Sequence, residues 1–194
     1  KTQFELTNIQ HQTGVTFVVV THDQEEAMTL ASRMAVMDKG QIMQVGVPTD
    51  VYEYPESRFV ADFIGSINFF SGVVTAKNGD AVQLDVAETG GTLTASSPLD
   101  AQIGERLTLA LRPEKIRISR DQPEGGNAVP GMVEDLGYFG KDSLYRIKLA
   151  SGHVLSVSSV NARRAGESAR VAQWDDRVWL SFDPGAIILL RGEA

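Results

Sequence analysis

Two hydrophobic rhythms divide the chain. In Val15-Thr16-Phe17-Val18-Val19-Val20 every position is β-branched or aromatic. With no polar alternation, such a run reads as a strand buried on both faces, as in a parallel sheet. Polarity changes abruptly at Thr21-His22-Asp23. Asp23 followed three residues later by Glu26 is a capping-box pattern and opens a helix over about Gln24–Arg33. Ala27, Leu30, Ala31 and Met34 recur at helical spacing and predict a buried stripe, with Met28 as further core. Upstream, Thr2–Gln12 reads as a helix with Phe4, Leu6 and Ile9 on one face and Gly14 as its stop. Downstream, Met34–Asp38 and Gln41–Val45 flank a Lys39-Gly40 turn. Pro48-Thr49 opens a short helix that Pro55 ends, and Ser57 caps another carrying Phe59, Val60, Phe63 and Ile64 up to Gly65.

Near Ser66-Ile67-Asn68-Phe69-Phe70 the rhythm shifts to short alternating strands with turn formers between them, the pattern of a barrel or sandwich. Phe70–Ala76 and Ala81–Ala87 flank Asn78-Gly79, a strong hairpin signal. Arg106–Arg112 and Lys115–Ser119 flank Pro113-Glu114. Ser143–Ala150 and His153–Val160 flank Ser151-Gly152, predicting a second hairpin, and Arg177–Asp183 and Ala186–Leu190 flank Pro184-Gly185, predicting a third. Glu105–Pro113 aligns with Asp176–Pro184 in its apolar residues, its arginine and its proline, and Gly72-Val73-Val74 echoes Gly131-Met132-Val133. The expected organisation is therefore a β–α unit with a helical tail over residues 1–66, then a duplicated OB-like β-domain over 67–194. Its halves are about 67–121 and 128–192, joined by the turn-rich Gln122–Asn127 loop. Residues 1–66 hold one buried-type strand and no equally buried neighbour, so its two bare edges invite pairing with another chain.

Composition narrows the function classes. The 194 residues are 42% hydrophobic and 22% charged, ordinary for a globular protein, and the net charge is −7. That sign argues against nucleic acid or an anionic membrane as the main partner. Acidic residues also outnumber basic ones beyond Phe69, so the basic groove of a nucleic-acid OB-fold is missing. There is no cysteine, which excludes disulfides and thiolate zinc sites. The three histidines, His11, His22 and His153, are too scattered in sequence to mark a metal site.

His22 is the candidate functional residue. It sits in the turn after a strand's carboxyl end, where open α/β sheets place ligands, and its imidazole can donate or accept a hydrogen bond near neutral pH. By position alone, a histidine in such a turn is usually a solvated or capping side chain. The run Thr21-His22-Asp23-Gln24-Glu25-Glu26-Ala27-Met28 resembles the switch-histidine segment of ATP-binding cassette (ABC) importer subunits. Ala35–Ile42 and Gly46–Tyr52 resemble the segments that come after it in that family, and Leu111-Arg112-Pro113-Glu114-Lys115-Ile116 resembles a motif of the transport-associated OB (TOBE) domain carried after the ATPase domain. Within the family, Phe63–Phe70, Ala110–Ile116, the Tyr145–Val160 hairpin and Asn161-Ala162-Arg163 look closest to polyamine importers of the putrescine and spermidine type.

The resemblance implies a fold class of α+β: a remnant of an α/β P-loop-type ATPase domain followed by the all-β domain. It implies that His22 contacts the γ-phosphate of ATP. It also implies ATP and Mg in a longer parent subunit, permease subunits and a periplasmic polyamine-binding protein as partners, a homodimer braced by the β-domain, and a place at the cytoplasmic face of the bacterial inner membrane. The family's phosphate loop, magnesium aspartate with its catalytic glutamate, and signature segment are not found in this sequence; in the family they precede the position of Lys1. The chain thus looks like a piece of something longer, and by itself is expected neither to bind ATP tightly nor to hydrolyse it. The rival reading is an OB-like module that binds a small ligand without coupling to ATP.

Other local patterns carry less. Gly137-Tyr138-Phe139-Gly140-Lys141-Asp142-Ser143 has the wrong glycine spacing for a phosphate loop and Asp142 where Ser or Thr is needed, so it reads as a barrel turn. Arg112, Lys115, Arg117 and Arg120 read as a solvated basic face, and Tyr138, Phe139, Tyr145, Trp174 and Trp179 as core or interface. Glu25 and Glu26 are adjacent on a helix, do not face each other, and suit its positive end.

Overall fold

A computed structural model describes residues 8–10, 12–161 and 171–192. The Thr2–Gln12 helix falls largely outside them, though residues 8–10 and 12–13 are helical, and Ala162 and Arg163 lie outside them altogether. The chain divides into two compact units, Lys1–Gly65 and Ser66–Ala194.

In the first unit the apolar run departs from its expected burial. Residues 14–20 belong to no helix or strand, and Val18 and Val20 are 89% and 96% exposed. β-branched side chains favour the extended backbone locally, but no described strand of this chain lies alongside to accept the hydrogen bonds or cover the faces. Helix α1 (Gln24–Leu30) comes next, capped by Asp23, and ends short of Arg33 because Ala31 is already extended. Its predicted stripe is only half-buried, with no fully buried residue. Among the described residues the core cluster it meets is small, made of Val36, Val51, Val60 and Ile64, with Met28 and Met34 packed against it.

Strands β1 (Met34–Asp38) and β2 (Gln41–Gly46) form the expected antiparallel ribbon. Lys39 and Gly40 both take positive φ in its turn, the geometry that suits a tight hairpin. Helix α2 (Pro48–Glu53) starts on its proline, and α3 (Arg58–Phe63) is capped by the Ser57 hydroxyl accepting from the Val60 amide at 3.3 Å. The buried Gln44 amide joins these pieces. Its Nε2 donates to the Tyr54 carbonyl (3.0 Å) and its Oε1 accepts from the Glu56 amide (2.9 Å).

Among its described residues the second unit is all β apart from two short 3₁₀ turns. Its strands are β3 (Asn68–Asn78), β4 (Ala81–Val86), β5 (Gly91–Ser96), β6 (Arg106–Leu111), β7 (Arg117–Ser119), β8 (Asn127–Tyr138), β9 (Asp142–Leu149), β10 (Val154–Val160), β11 (Arg177–Phe182) and β12 (Ile187–Leu190). They form two antiparallel five-stranded sheets, β12-β6-β3-β4-β5 and β10-β9-β8-β11-β7. Each sheet curls until its edge strands approach, β5 towards β12 and β10 towards β7. One continuous core fills both, from Phe70, Leu84 and Leu109 through Tyr145, Leu155 and Leu180 to Leu189.

The hairpin predicted over Arg177–Leu190 does not form. Strand β11 pairs with β8 and β7, whereas β12 pairs with β6 in the other sheet. Proline explains it: Pro184 lacks an amide donor and has a fixed φ, so it does not close a two-residue hairpin. It opens a 3₁₀ turn over Pro184–Ala186, with the Ala186 amide bonded to the Asp183 carbonyl at 2.9 Å, which carries the chain across. Pro113–Lys115 does the same after β6. Each run of five consecutive strands therefore sends its fifth into the sheet built by the other run.

The two runs repeat each other in register. Gly72 pairs with Val86 and Gly131 with Leu149. Both glycines sit where a side chain would collide: an added Cβ would lie 2.8 Å from Leu109 Cδ1 at Gly72 and 2.4 Å from Ile147 Cγ2 at Gly131. The loops before β6 and β11 match as well. Gly104 (φ 87°) and Asp175 (φ 63°) occupy the same place, their amides bonded to the Val74 and Val133 carbonyls.

Candidate functional site

The turn around His22 is built from three local hydrogen bonds and one long-range clamp. The Asp23 amide donates to Thr21 Oγ1 at 3.0 Å, and Asp23 Oδ1 accepts from the Glu26 amide at 3.0 Å. Thr29 Oγ1 donates to the Glu25 carbonyl one turn on. Asp23 thus supplies the N-cap that the sequence predicts. Glu25 and Glu26 occupy the first turn of α1, where the unpaired amides favour negative charge. The clamp comes from Gln24, whose Nε2 donates to the Phe63 carbonyl and whose Oε1 accepts from the Gly65 amide at 2.8 Å. The start of α1 is thereby tied to the end of α3.

His22 stands between these bonds with its side chain in solvent. The arrangement fixes the backbone on both sides of the imidazole and leaves the ring available to a ligand. Sequence reasoning found His22 and Asp23 but missed Gln24, whose role depends on a partner about forty residues away.

The remaining sequence candidates are dispersed. Arg112, read as part of a solvated basic face, is 1% exposed, and its Nη1 donates to the Ser66 carbonyl at 3.2 Å. It lies immediately before the Pro113 turn, where the chain leaves one sheet for the other. Arg117 and Arg120 are exposed and paired across the repeat, with Asp183 at 3.2 Å and Asp176 at 3.0 Å. Tyr145 is core and Trp179 half-buried, but Tyr138, Phe139 and Trp174 are exposed rather than core, because they end strands or sit in loops. The Gly137–Ser143 stretch is the β8–β9 turn, closed by the Phe139 amide donating to the Asp142 carbonyl at 2.8 Å, with Gly140 at φ 80°.

Two carboxylates titrate below their ordinary range. Asp100 is held down by its hydrogen bond and charge contact with Lys77 (2.8 Å). Glu105 is held down first by the Arg191 guanidinium at 2.8 Å and then by the Gln102 amide. Arg191 is raised in turn, and it also donates to the Asp100 carbonyl. These exposed groups pin the loop before β6 to the strand end after β12. A shallow groove of about 280 Å³ lies beside Arg117, Gly125, Gly126, Ser181 and Asp183, with the guanidinium already engaged by Asp183. Among the described residues no group of three or more His, Cys, Asp or Glu side chains can hold a metal ion, and no helix is long and apolar enough to cross a membrane.

Residues 109–190 match the TOBE domain family. The chain is 40% identical over 164 residues, 84% of its length, to the spermidine/putrescine import ATP-binding protein PotA of Mesorhizobium japonicum. It is 37% identical over 97% of its length to the putrescine transport ATP-binding protein PotG of Escherichia coli, and 42% identical over 95% to PotA of Ruegeria pomeroyi. The chain spans about half the length of these relatives, 44%, 50% and 48% respectively. Among solved structures, the cytoplasmic molybdate-binding protein ModG superposes on 63% of the chain and 94% of its own length, with a TM-score of 0.53 and 15% identity. At that identity the likeness concerns the fold.

Proposed function

We propose that this chain, which matches the TOBE domain family over residues 109–190 and is similar to polyamine-import ATP-binding proteins over about half their length, is the carboxy-terminal part of the ABC-importer subunit that drives polyamine import. Residues 1–66 are in this reading the end of the ATPase domain, and 67–194 the regulatory domain with its two repeats. The observation that carries it is the coincidence of two features. A β-branched and aromatic segment, exposed throughout among the described residues, leads into a turn held by local hydrogen bonds that presents an exposed imidazole.

An unpaired strand of this composition calls for neighbours on both edges and both faces. In the full subunit the neighbours are the remaining strands of an ATPase sheet. His22 then lies at the carboxyl end of that sheet, where phosphate ligands sit. There Nε2 or Nδ1 donates a hydrogen bond to the γ-phosphate of ATP, while Asp23 and Gln24 hold the turn. ATP brings its own Mg, which residues beyond this chain would hold. The subunit acts as a dimer at the cytoplasmic face of the inner membrane with permease subunits and a periplasmic polyamine-binding protein. The β-domain braces the two copies.

The test is His22→Ala in a full-length subunit. ATP hydrolysis should fall by ~10²–10³-fold, the scale for losing one preorganised transition-state donor, while nucleotide binding by fluorescence changes little. An unchanged hydrolysis rate removes His22 from the mechanism. The rival, a ligand module uncoupled from ATP, predicts instead saturable binding of putrescine to the chain by calorimetry, with hydrolysis indifferent to His22.

A further inference from the structure

Asn68 and Asn127 open the first strand of the two repeats, four residues before Gly72 and Gly131. Both are buried, at 6% and 5% exposure. Asn68 Nδ2 donates to the Ser156 carbonyl at 2.9 Å, and its Oδ1 accepts from the Ser156 amide at 2.8 Å. Asn127 repeats this on Thr94: Nδ2 to the carbonyl at 2.8 Å, Oδ1 from the amide at 2.8 Å. Asn68 Nδ2 also reaches the Leu111 carbonyl at 3.1 Å.

The targets are chosen by topology. Ser156 lies in β10 and Thr94 in β5, each an edge strand of its sheet. A primary amide carries one donor side and one acceptor side, so it takes both backbone groups of a single strand residue as a neighbouring strand would. Each asparagine reaches out of its own sheet: β3 belongs to the sheet that holds β5, β8 to the sheet that holds β10. The repeat register makes the two contacts equivalents, since Leu84 pairs with Leu93 just as Ile147 pairs with Leu155. A third contact lies between matching turns, where Ser151 Oγ donates to the Glu88 carbonyl at 2.5 Å.

We infer that Asn68 and Asn127 form a reciprocal interlock, in which each repeat's opening amide stands in for the missing neighbour of the other sheet's edge strand. The crossed geometry has a consequence that ordinary packing lacks. Loss of either amide loosens the sheet that does not carry it. Together with the exchanged fifth strands, the pair joins the two barrels into one body and satisfies edge groups that otherwise recruit foreign strands.

Amide hydrogen exchange by NMR on the 194-residue chain tests this. In the unmodified protein the Ser156 and Thr94 amides should exchange slowly, although they face away from their only paired strands. Asn68→Ala should speed exchange of the Ser156 amide by ~10-fold or more, the scale of one lost buried hydrogen bond, and leave Thr94 unaffected. Asn127→Ala should do the reverse. Fast exchange at Ser156 and Thr94 in the unmodified protein overturns the inference even if neither variant folds. So does a uniform acceleration across both sheets in the variants.

Discussion

Two mainly apolar runs meet opposite fates. Val15–Val20 has no buried residue and two side chains almost fully in solvent, whereas Leu107, Leu109, Ala110 and Leu111 of β6 are all 1% exposed or less. The difference is not in the letters. Strand β6 lies between β3 and β12, one from its own repeat and one delivered by the crossover at Pro184. Val15–Val20 has no such neighbours among the described residues of this chain. Hydrophobic pattern records the surroundings a segment is fitted for; whether it is buried depends on which strands the chain itself supplies. Among its described residues the first unit has only a small core cluster and leaves Met37, Ile42 and Val45 exposed.

That contrast can be attacked by substitution. Leu109→Ala, at the centre of the larger core, should cost about 2–5 kcal/mol in urea unfolding of the β-unit. Val18→Ala in the same chain should change stability by less than about 0.5 kcal/mol. Equal costs would erase the distinction. Gly131→Ala should cost about 1–3 kcal/mol, because its Cβ would lie 2.4 Å from Ile147 Cγ2 and 3.2 Å from the Lys148 carbonyl oxygen. Asp175→Gly should raise stability by up to about 1 kcal/mol, since it relieves a left-handed backbone that Gly104 holds without strain in the first repeat.

The smallest effect expected is on acidification. Asp100 and Glu105 titrate below their unfolded values, so the contribution from Lys77 and Arg191 is fully present above the ordinary carboxylate range. It is lost as pH falls through the lowered folded values. Asp100→Asn with Glu105→Gln should flatten the acid limb of a stability–pH profile below about pH 4 and leave neutral pH little changed.

Most of the β-unit was legible because alternation and turn chemistry are local. Strands β3, β4, β9, β10, β11 and β12 lie where periodicity puts them. Strand β5 escaped because Gly-Thr-Leu-Thr-Ala-Ser offers only Leu93 and Ala95 to the core. The exchange of fifth strands was hidden because Pro113 and Pro184 look like hairpin punctuation, and only the pairing shows that they send the chain across. Asn127 reads as part of the turn-rich Gln122–Asn127 loop, Asn68 only as part of the segment where the rhythm shifts, and Arg112 as surface charge; in each case the deciding fact is a partner about 30 to 90 positions away. At the candidate site, the N-cap of Asp23 and the exposed turn at His22 could be read directly, while the Gln24 clamp could not.

On the proposed reading, Val15–Val20 becomes a sheet strand, with His22 at its tip, only alongside the rest of an ATPase domain. Hydrogen–deuterium exchange by mass spectrometry, monitored on the peptide that covers Val15–His22, measures this directly. In the 194-residue chain its amides should exchange as fast as an unstructured peptide; in a full-length subunit carrying the same sequence they should be protected as interior strands are. Protection in the 194-residue chain alone, or fast exchange in both, would contradict the account.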